Sequence, residues 1–148
     1  MVISWVAPNN GGQNILGYTI YIQKGDGVNY VRDFTYCDAS QTSIMIAASC
    51  SIPAGVFISS FYNLNWGSSI YVKVVAYNSY GNSPDSGVGN GAVLVTIPSA
   101  PVSLIENTAL RATQTIALQW QNGATNGGTP IIDYTLSYST VLGSFSVL

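Results

Sequence analysis

The reactive side chains of this 148-residue sequence are two cysteines, Cys37 and Cys50, and six carboxylates, Asp26, Asp33, Asp38, Asp85, Glu106 and Asp133. There is no histidine. That removes the usual general base and the Cys–His nucleophile pair, and two thiols alone do not make an ordinary zinc site. The cysteines are also too far apart for the Cys-x-x-Cys spacing of a redox pair. Two structural readings stay open, a disulfide and a pair of buried free thiols, and we expect the disulfide. Closing that loop would stabilise the fold by about 3 kcal/mol in the chain-entropy model and would place the protein in an oxidising compartment, outside the cell or on its surface. Asp26 and Asp33 flank one predicted hairpin, where two carboxylates could approach each other as in a glycosidase. A turn residue and a solvated strand end explain them without catalysis, and that is the expectation. The Gly-rich stretches "GGQN" and "NGGT" join strands and open no helix, so neither fits a phosphate loop. We expect no enzyme activity, catalytic residue, cofactor site or metal site.

The elements around these residues read as strands. The chain is 47% hydrophobic and 7% charged, against a usual charged share of about 25%. It is rich in Val, Ile, Tyr, Thr, Ser, Asn and Gly, which suit strands and turns. Alternation predicts strands over Met1 to Val6, Ile15 to Gln23, Val28 to Phe34, Ile70 to Ala76 and Ala92 to Thr96, then over Val102 to Ile105, Thr115 to Trp120 and Ile131 to Tyr138. A less regular stretch runs from Tyr36 to Asn63. Short strands between frequent turns predict an all-β, antiparallel sandwich. No apolar run is long enough to span a bilayer, and a net charge of −2 offers no basic patch for nucleic acid. So uncharged a surface suits packing in an assembly or a coat of sugar; a plain polar surface is the alternative. No Asn-x-Ser/Thr sequon is present, since Asn82-Ser83 is followed by Pro84. O-linked glycans would use hydroxyls such as Ser40, Thr42 and Ser43, which otherwise form a polar loop.

The sequence repeats itself. "NNGGQNILGYTIYI" from Asn9 returns as "NGGTPIIDYTLSY" from Asn126, with Gly12, Ile15 and Tyr18 matching Gly128, Ile131 and Tyr134 at an offset of 116. Upstream, Ile3 and Trp5 match Leu118 and Trp120 at an offset of 115. A self-match at fixed spacing predicts tandem repeats. We expect a window cut out of register from a longer polypeptide: residues 1–97 as a domain lacking its first strand, and 98–148 as the opening strands of the next. The missing strands would come from more of the same chain or from a neighbouring subunit. Ile3, Trp5, Tyr18, Ile20, Leu64, Val72 and Val74 are the expected core, with Leu118, Trp120 and Tyr134 repeating it.

"LNWGSSIYVKVVAYNSYGNSPDS" (Leu64 to Ser86) resembles the end of a fibronectin type III domain, through Leu64, Gly67, Val72, Val74, Ala76, Asn78 and Gly81. "ISWVAP" is similar to that family's second strand with its core Trp, and "ILGYTIYI" to its third with its core Tyr. "IPSAPVSL" resembles the junction into a following domain, where Pro98 and Pro101 would stiffen the link. The resemblance implies an immunoglobulin-like sandwich of strands B, C, C′, E, F and G followed by A, B and C. There are two departures. Ile70 stands where the family usually has a Tyr, and the two-cysteine insertion from Tyr36 to Asn65 resembles a long variant repeat found in arrays of secreted or surface proteins of microbial eukaryotes. The resemblance and the repeat imply a non-catalytic structural repeat of an extracellular filament, coat or adhesive polymer, self-associating or continuing along an array. The alternative is a recognition module of a receptor or adhesin that binds protein or glycan, with Trp66, Tyr77 and Tyr80 as the candidate contacts.

Overall fold

The computed structural model describes residues 1–141 and 143–148. The described residues form two compact units, Met1–Thr96 and Ile97–Leu148. Most of their regular structure is strand in antiparallel pairs, as the composition predicts.

Unit 1 is built from two sheets around one core. Strand β1 (Val2–Ser4) pairs with β4 (Ser49–Ser51). The larger sheet holds β2 (Gly17–Gln23) between β3 (Tyr30–Arg32) and β5 (Ser69–Asn78). On its other edge β5 carries β6 (Gly81–Asn82) at one end and β7 (Gly89–Val93) at the other. Period-two alternation drives this arrangement. In β2, Tyr18, Ile20 and Ile22 point one way and are 4%, 2% and 0% exposed. They meet Ile3 and Cys50 from the smaller sheet and Ile52 just beyond it.

The stretch from Tyr36 to Asn63, which lacks strand periodicity, holds two short helices as well as β4. Helix α1 (Thr42–Ala47) packs Ile44 and Met45 on the core and ends at Ala48 in the left-handed region, with φ 47°. Helix α2 (Ala54–Phe57) follows Pro53, whose fixed φ suits a helix start, and buries Phe57 completely. Tyr62, also fully buried, packs against Phe57 with ring centroids 5.3 Å apart. An all-strand reading misses these turns of helix because each is too short to show a 3.6-residue period.

The expected core needs correcting at three places. Ile3, Tyr18, Ile20 and Leu64 are buried, but Trp5, Val72 and Val74 are only half-buried at the margin of the core. They line an open groove, described below. The last strand of unit 1 is Gly89–Val93 rather than Ala92 to Thr96, leaving the fully buried Leu94 just beyond it.

In unit 2, β8 (Val102–Glu106) pairs with β9 (Leu118–Gln121), and β10 (Ser137–Val141) forms a hairpin with β11 (Ser144–Val147). Most of the strand expected over Ile131 to Tyr138 is irregular: only Ser137 and Tyr138 are strand. In unit 1 the matching β2 has β5 beside it, whereas the described residues of unit 2 offer Ile131–Leu136 no partner strand. A strand without a hydrogen-bonded neighbour is not stable alone. For the same reason Leu118, Trp120 and Tyr134 are 39%, 37% and 37% exposed and do not repeat the buried core.

Candidate functional site

Cys37 and Cys50 are joined by a disulfide, with Cα atoms 5.3 Å apart, well inside the range such a bridge requires. Cys50 lies on β4 in the small sheet and Cys37 on the loop leaving β3 at the edge of the large one. The bridge therefore ties the two sheets together. Both cysteines are buried.

Four residues before Cys37, Asp33 holds that loop in place. It is the one buried charged residue among those described, 7% exposed, so it is not the solvated strand end expected from the sequence. Its Oδ1 accepts the backbone N–H groups of Thr35, Tyr36 and Cys37 at 2.9, 2.5 and 3.2 Å. Its Oδ2 accepts the Tyr62 hydroxyl at 2.7 Å. Burial alone would raise the Asp33 pKa, but the Tyr36 amide, the Tyr62 hydroxyl and the Cys37 and Thr35 amides together bring it below the usual carboxylate value. Tyr62 is pushed the other way, by burial first and then by its hydrogen bond to Asp33 and the charge there. The signal for this clamp is Asp33 ahead of "TYC": a carboxylate one short loop upstream of a buried half-cystine can collect the amides that the loop exposes.

The other acids are each engaged locally. Asp26 accepts from the Val28 and Asn29 amides and the Asn29 side chain; that side-chain bond first, then the amides, lowers its pKa to about 2. This is the turn role expected of it. Asp38 accepts from Ser40, Asp85 pairs with Lys73 at 3.3 Å, Glu106 with Arg111, and Asp133 accepts the Tyr134 amide. Asp26 and Asp33 are thus committed to different loops. The hydroxyls at Ser40, Thr42 and Ser43 are exposed, the last two on the first turn of α1.

The candidate contact residues separate. Tyr77 and Tyr80 line one shallow cleft of about 260 Å³, walled by the Asn9–Gly11 turn and the Asn78–Ser83 turn. The Asn78 side chain donates to the Asn10 carbonyl at 3.0 Å, tying the two turns together. Tyr80 is 86% exposed. Trp66 lies elsewhere, half-buried against the core.

An apolar groove of about 810 Å³ lies between β1 and the β5–β7 side of the large sheet. Ile3, Trp5, Ile70, Val72 and Val74 form its walls. The Trp5 indole N–H is buried with no acceptor among the described residues.

The repeated stretches share local geometry. Trp5 and Tyr18 pack edge to face at 5.2 Å and 63°, and Trp120 and Tyr134 at 5.5 Å and 65°. Gly11 and Gly12 have φ of 65° and 85°, and Gly127 and Gly128 have 74° and 90°. Asn10 Oδ1 accepts the Gly12 amide at 2.9 Å, and Asn126 Oδ1 the Gly128 amide at 3.0 Å. No family model matches the chain, and no curated protein matches it either.

Proposed function

We propose that this chain is a non-catalytic structural repeat of the fibronectin type III kind, in an extracellular filament, coat or adhesive polymer. The observation that carries this is the recurrence of one turn and one aromatic pair, at an offset of 115 to 116 residues, with nearly identical backbone and ring geometry. Repeat arrays are built from such units. The two-sheet core of unit 1, with β1 against β4 and β2 against β3 and β5, is the pairing expected of strands B, E, C, C′ and F in an immunoglobulin-like sandwich. The Cys37–Cys50 bridge favours an oxidising, extracellular setting. A surface with few ions has little to desolvate when units pack side by side, and the segment with Pro98 and Pro101 would limit bending between units.

The test is imaging of the native material together with solution scattering from an expressed chain of several repeats. Extended rods with regular axial spacing are expected; compact, unassociated particles in both measurements overturn the filament reading. A second reading, recognition of a protein or glycan, draws on the cleft that brings Tyr77 and exposed Tyr80 together beside Asn side chains. Aromatic faces next to amides suit sugar rings. Binding on a glycan array that is lost in Tyr80→Ala would favour it.

A further inference from the structure

Four asparagines stand directly before a glycine: Asn10, Asn90, Asn122 and Asn126. Such a step is open to attack on its own side chain, because glycine puts no Cβ in the way of the backbone nitrogen that follows the asparagine. The outcome depends on how the fold holds three atoms. They are the attacking nitrogen, the electrophilic Cγ, and the Oδ1 that collects negative charge.

At Asn10 all three are held. The Gly11 N–H donates to Asn9 Oδ1 at 2.8 Å, which fixes the peptide plane that carries the attacking nitrogen. The Gly12 amide donates to Asn10 Oδ1 at 2.9 Å. A donor placed on an oxygen that becomes an oxyanion stabilises the tetrahedral species more than the starting amide. The Asn10 backbone carbonyl accepts from the Gln13 amide at 3.2 Å and from the Asn78 side chain, so the turn is held from two directions. Asn9 to Gly12 are exposed, and nothing lies within 4 Å of where a Cβ on Gly11 or Gly12 would sit. Water and hydroxide therefore reach the turn.

The other three steps each lack something. Asn126 repeats the turn, with the Gly127 amide on Thr125 Oγ1 and the Gly128 amide on Asn126 Oδ1, both at 3.0 Å. Gly127 is buried, however, which shields its nitrogen from base. At Asn122 the Tyr134 hydroxyl holds Oδ1, but Gly123 is packed against Ser99 and Ala100, and a Cβ there would meet the Ala100 carbonyl oxygen at 2.4 Å. That crowding leaves little room for a ring to close. Asn90 lies in β7 opposite Tyr71, its backbone committed to the strand, and its Oδ1 has no donor among the described residues.

We propose that Asn10 is a self-modifying site, where the chain converts its own asparagine to isoaspartate or aspartate. Hydroxide removes the Gly11 amide proton, and the nitrogen attacks Asn10 Cγ. The N–Cγ bond forms, the Cγ–Nδ2 bond breaks, and Nδ2 leaves as ammonia with a proton from water. Water then opens the cyclic imide. Cleavage of the original peptide bond leaves isoaspartate, and cleavage of the new bond leaves aspartate. A water is consumed and an ammonia released, with no oxidant or cofactor. The conversion adds one negative charge to a chain whose net charge is −2. Isoaspartate also lengthens the turn by a methylene and turns the Asn10 carbonyl that Asn78 holds into a free carboxylate. This turn walls the cleft of Tyr77 and Tyr80, so the cleft changes shape and charge as the chain ages. The proposal depends neither on filament formation nor on glycan recognition.

The test incubates the whole chain at neutral and alkaline pH in heavy-oxygen water, folded and in urea. Peptide mapping by mass spectrometry and labelling by isoaspartyl methyltransferase follow each Asn–Gly step. In the folded chain Asn10 should convert about tenfold or more faster than Asn90, ahead of Asn122 and Asn126, and at least as fast as in urea. The rate should rise with hydroxide concentration, and the product should carry one solvent oxygen. Asn10→Gln, whose longer side chain does not close the imide readily, should remove the early acidic species. NMR should show the Asn78 side-chain amide and the Tyr80 ring shifting as the wild-type chain ages and staying constant in Asn10→Gln. Conversion at Asn10 that is slower than in urea, or overtaken by any of the other three steps, overturns the proposal. Converted chains whose Asn78 and Tyr80 signals stay in place overturn the effect on the cleft. Failure to see filaments bears on the function proposed above and leaves this result intact.

Discussion

The Tyr62 hydroxyl donates to Asp33 Oδ2 across 2.7 Å, joining the loop after α2 to the loop that carries Cys37. The same carboxylate holds three successive backbone amides through its other oxygen. Removing one partner of a buried, charged hydrogen bond costs about 1.5–3 kcal/mol. Tyr62→Phe, which keeps the ring in its pocket, is expected to lose an amount in that range. Asp33→Ala strands several donors at once and is expected to lose more. Urea unfolding followed by Trp fluorescence measures both.

The pair also sets a pH dependence at each end of the scale. The Asp33 pKa is lower in the folded chain than in the unfolded one, so its contribution is present above the unfolded carboxylate value and fades as pH falls through the folded value. The Tyr62 pKa is higher in the folded chain, so its contribution is present below the unfolded phenol value, about 10, and is lost as pH rises beyond it. Melting temperature against pH should therefore fall on the acid side and again on the alkaline side. Tyr62→Phe should flatten the alkaline fall, and Asp33→Asn the acid fall.

Reducing the Cys37–Cys50 bridge should cost about 3 kcal/mol for so short a loop. Because the bridge links the two sheets, the loss should be felt by unit 1 as a whole. Thermal melts with and without reductant, alongside a Cys37→Ser/Cys50→Ser double variant, should agree with each other. Equal melting temperatures in all three would mean that the bridge adds nothing to stability.

Two glycines with no side chain to lose should differ sharply. A Cβ on Gly25 would sit 1.8 Å from the backbone carbonyl oxygen of Asn63, which cannot swing aside. A Cβ on Gly17 would meet the Tyr77 hydroxyl at 2.4 Å, the far end of a side chain that can turn away. Overpacking against rigid neighbours costs roughly 1–3 kcal/mol or more. Gly25→Ala should fall in or above that range and Gly17→Ala well below it, as measured by chemical denaturation.

Much of unit 1 was legible because it obeys period two. Tyr18, Ile20 and Ile22 alternate inward, and the structure buries all three. Val72 and Val74 carry the same pattern yet stay half-buried, because alternation shows which face a residue takes and not whether another layer covers that face. Asp33 departs from the expected solvated strand end for a different reason. Its partners are the amides that follow it and a hydroxyl 29 residues away, and a long-range partner leaves no local mark. The disulfide is within reach of the sequence, since the absence of histidine and of a Cys-x-x-Cys spacing narrows what two cysteines can do. The cleft that joins Tyr77 and Tyr80 depends on the Asn78–Asn10 contact, which sequence spacing does not encode.

The two Trp–Tyr pairs give a last prediction, because their internal geometry matches while their surroundings differ. Trp5 stacks on Tyr18, which is 4% exposed within a two-sheet core; Trp120 stacks on Tyr134, where both rings are 37% exposed. Truncating a fully buried Trp costs about 3–5 kcal/mol, and the half-burial of Trp5 on the groove wall puts Trp5→Ala lower, near 2–3 kcal/mol by proportion to buried area. Trp120→Ala removes the same ring from a site that is 37% exposed and faces no second sheet among the described residues, so it should cost less than Trp5→Ala. Denaturation midpoints of the two variants measured side by side will show the difference. Equal losses would mean that the edge-to-face contact, common to both pairs, dominates over the surrounding core. A loss at Trp120 that appears only at high chain concentration would show instead that association covers unit 2.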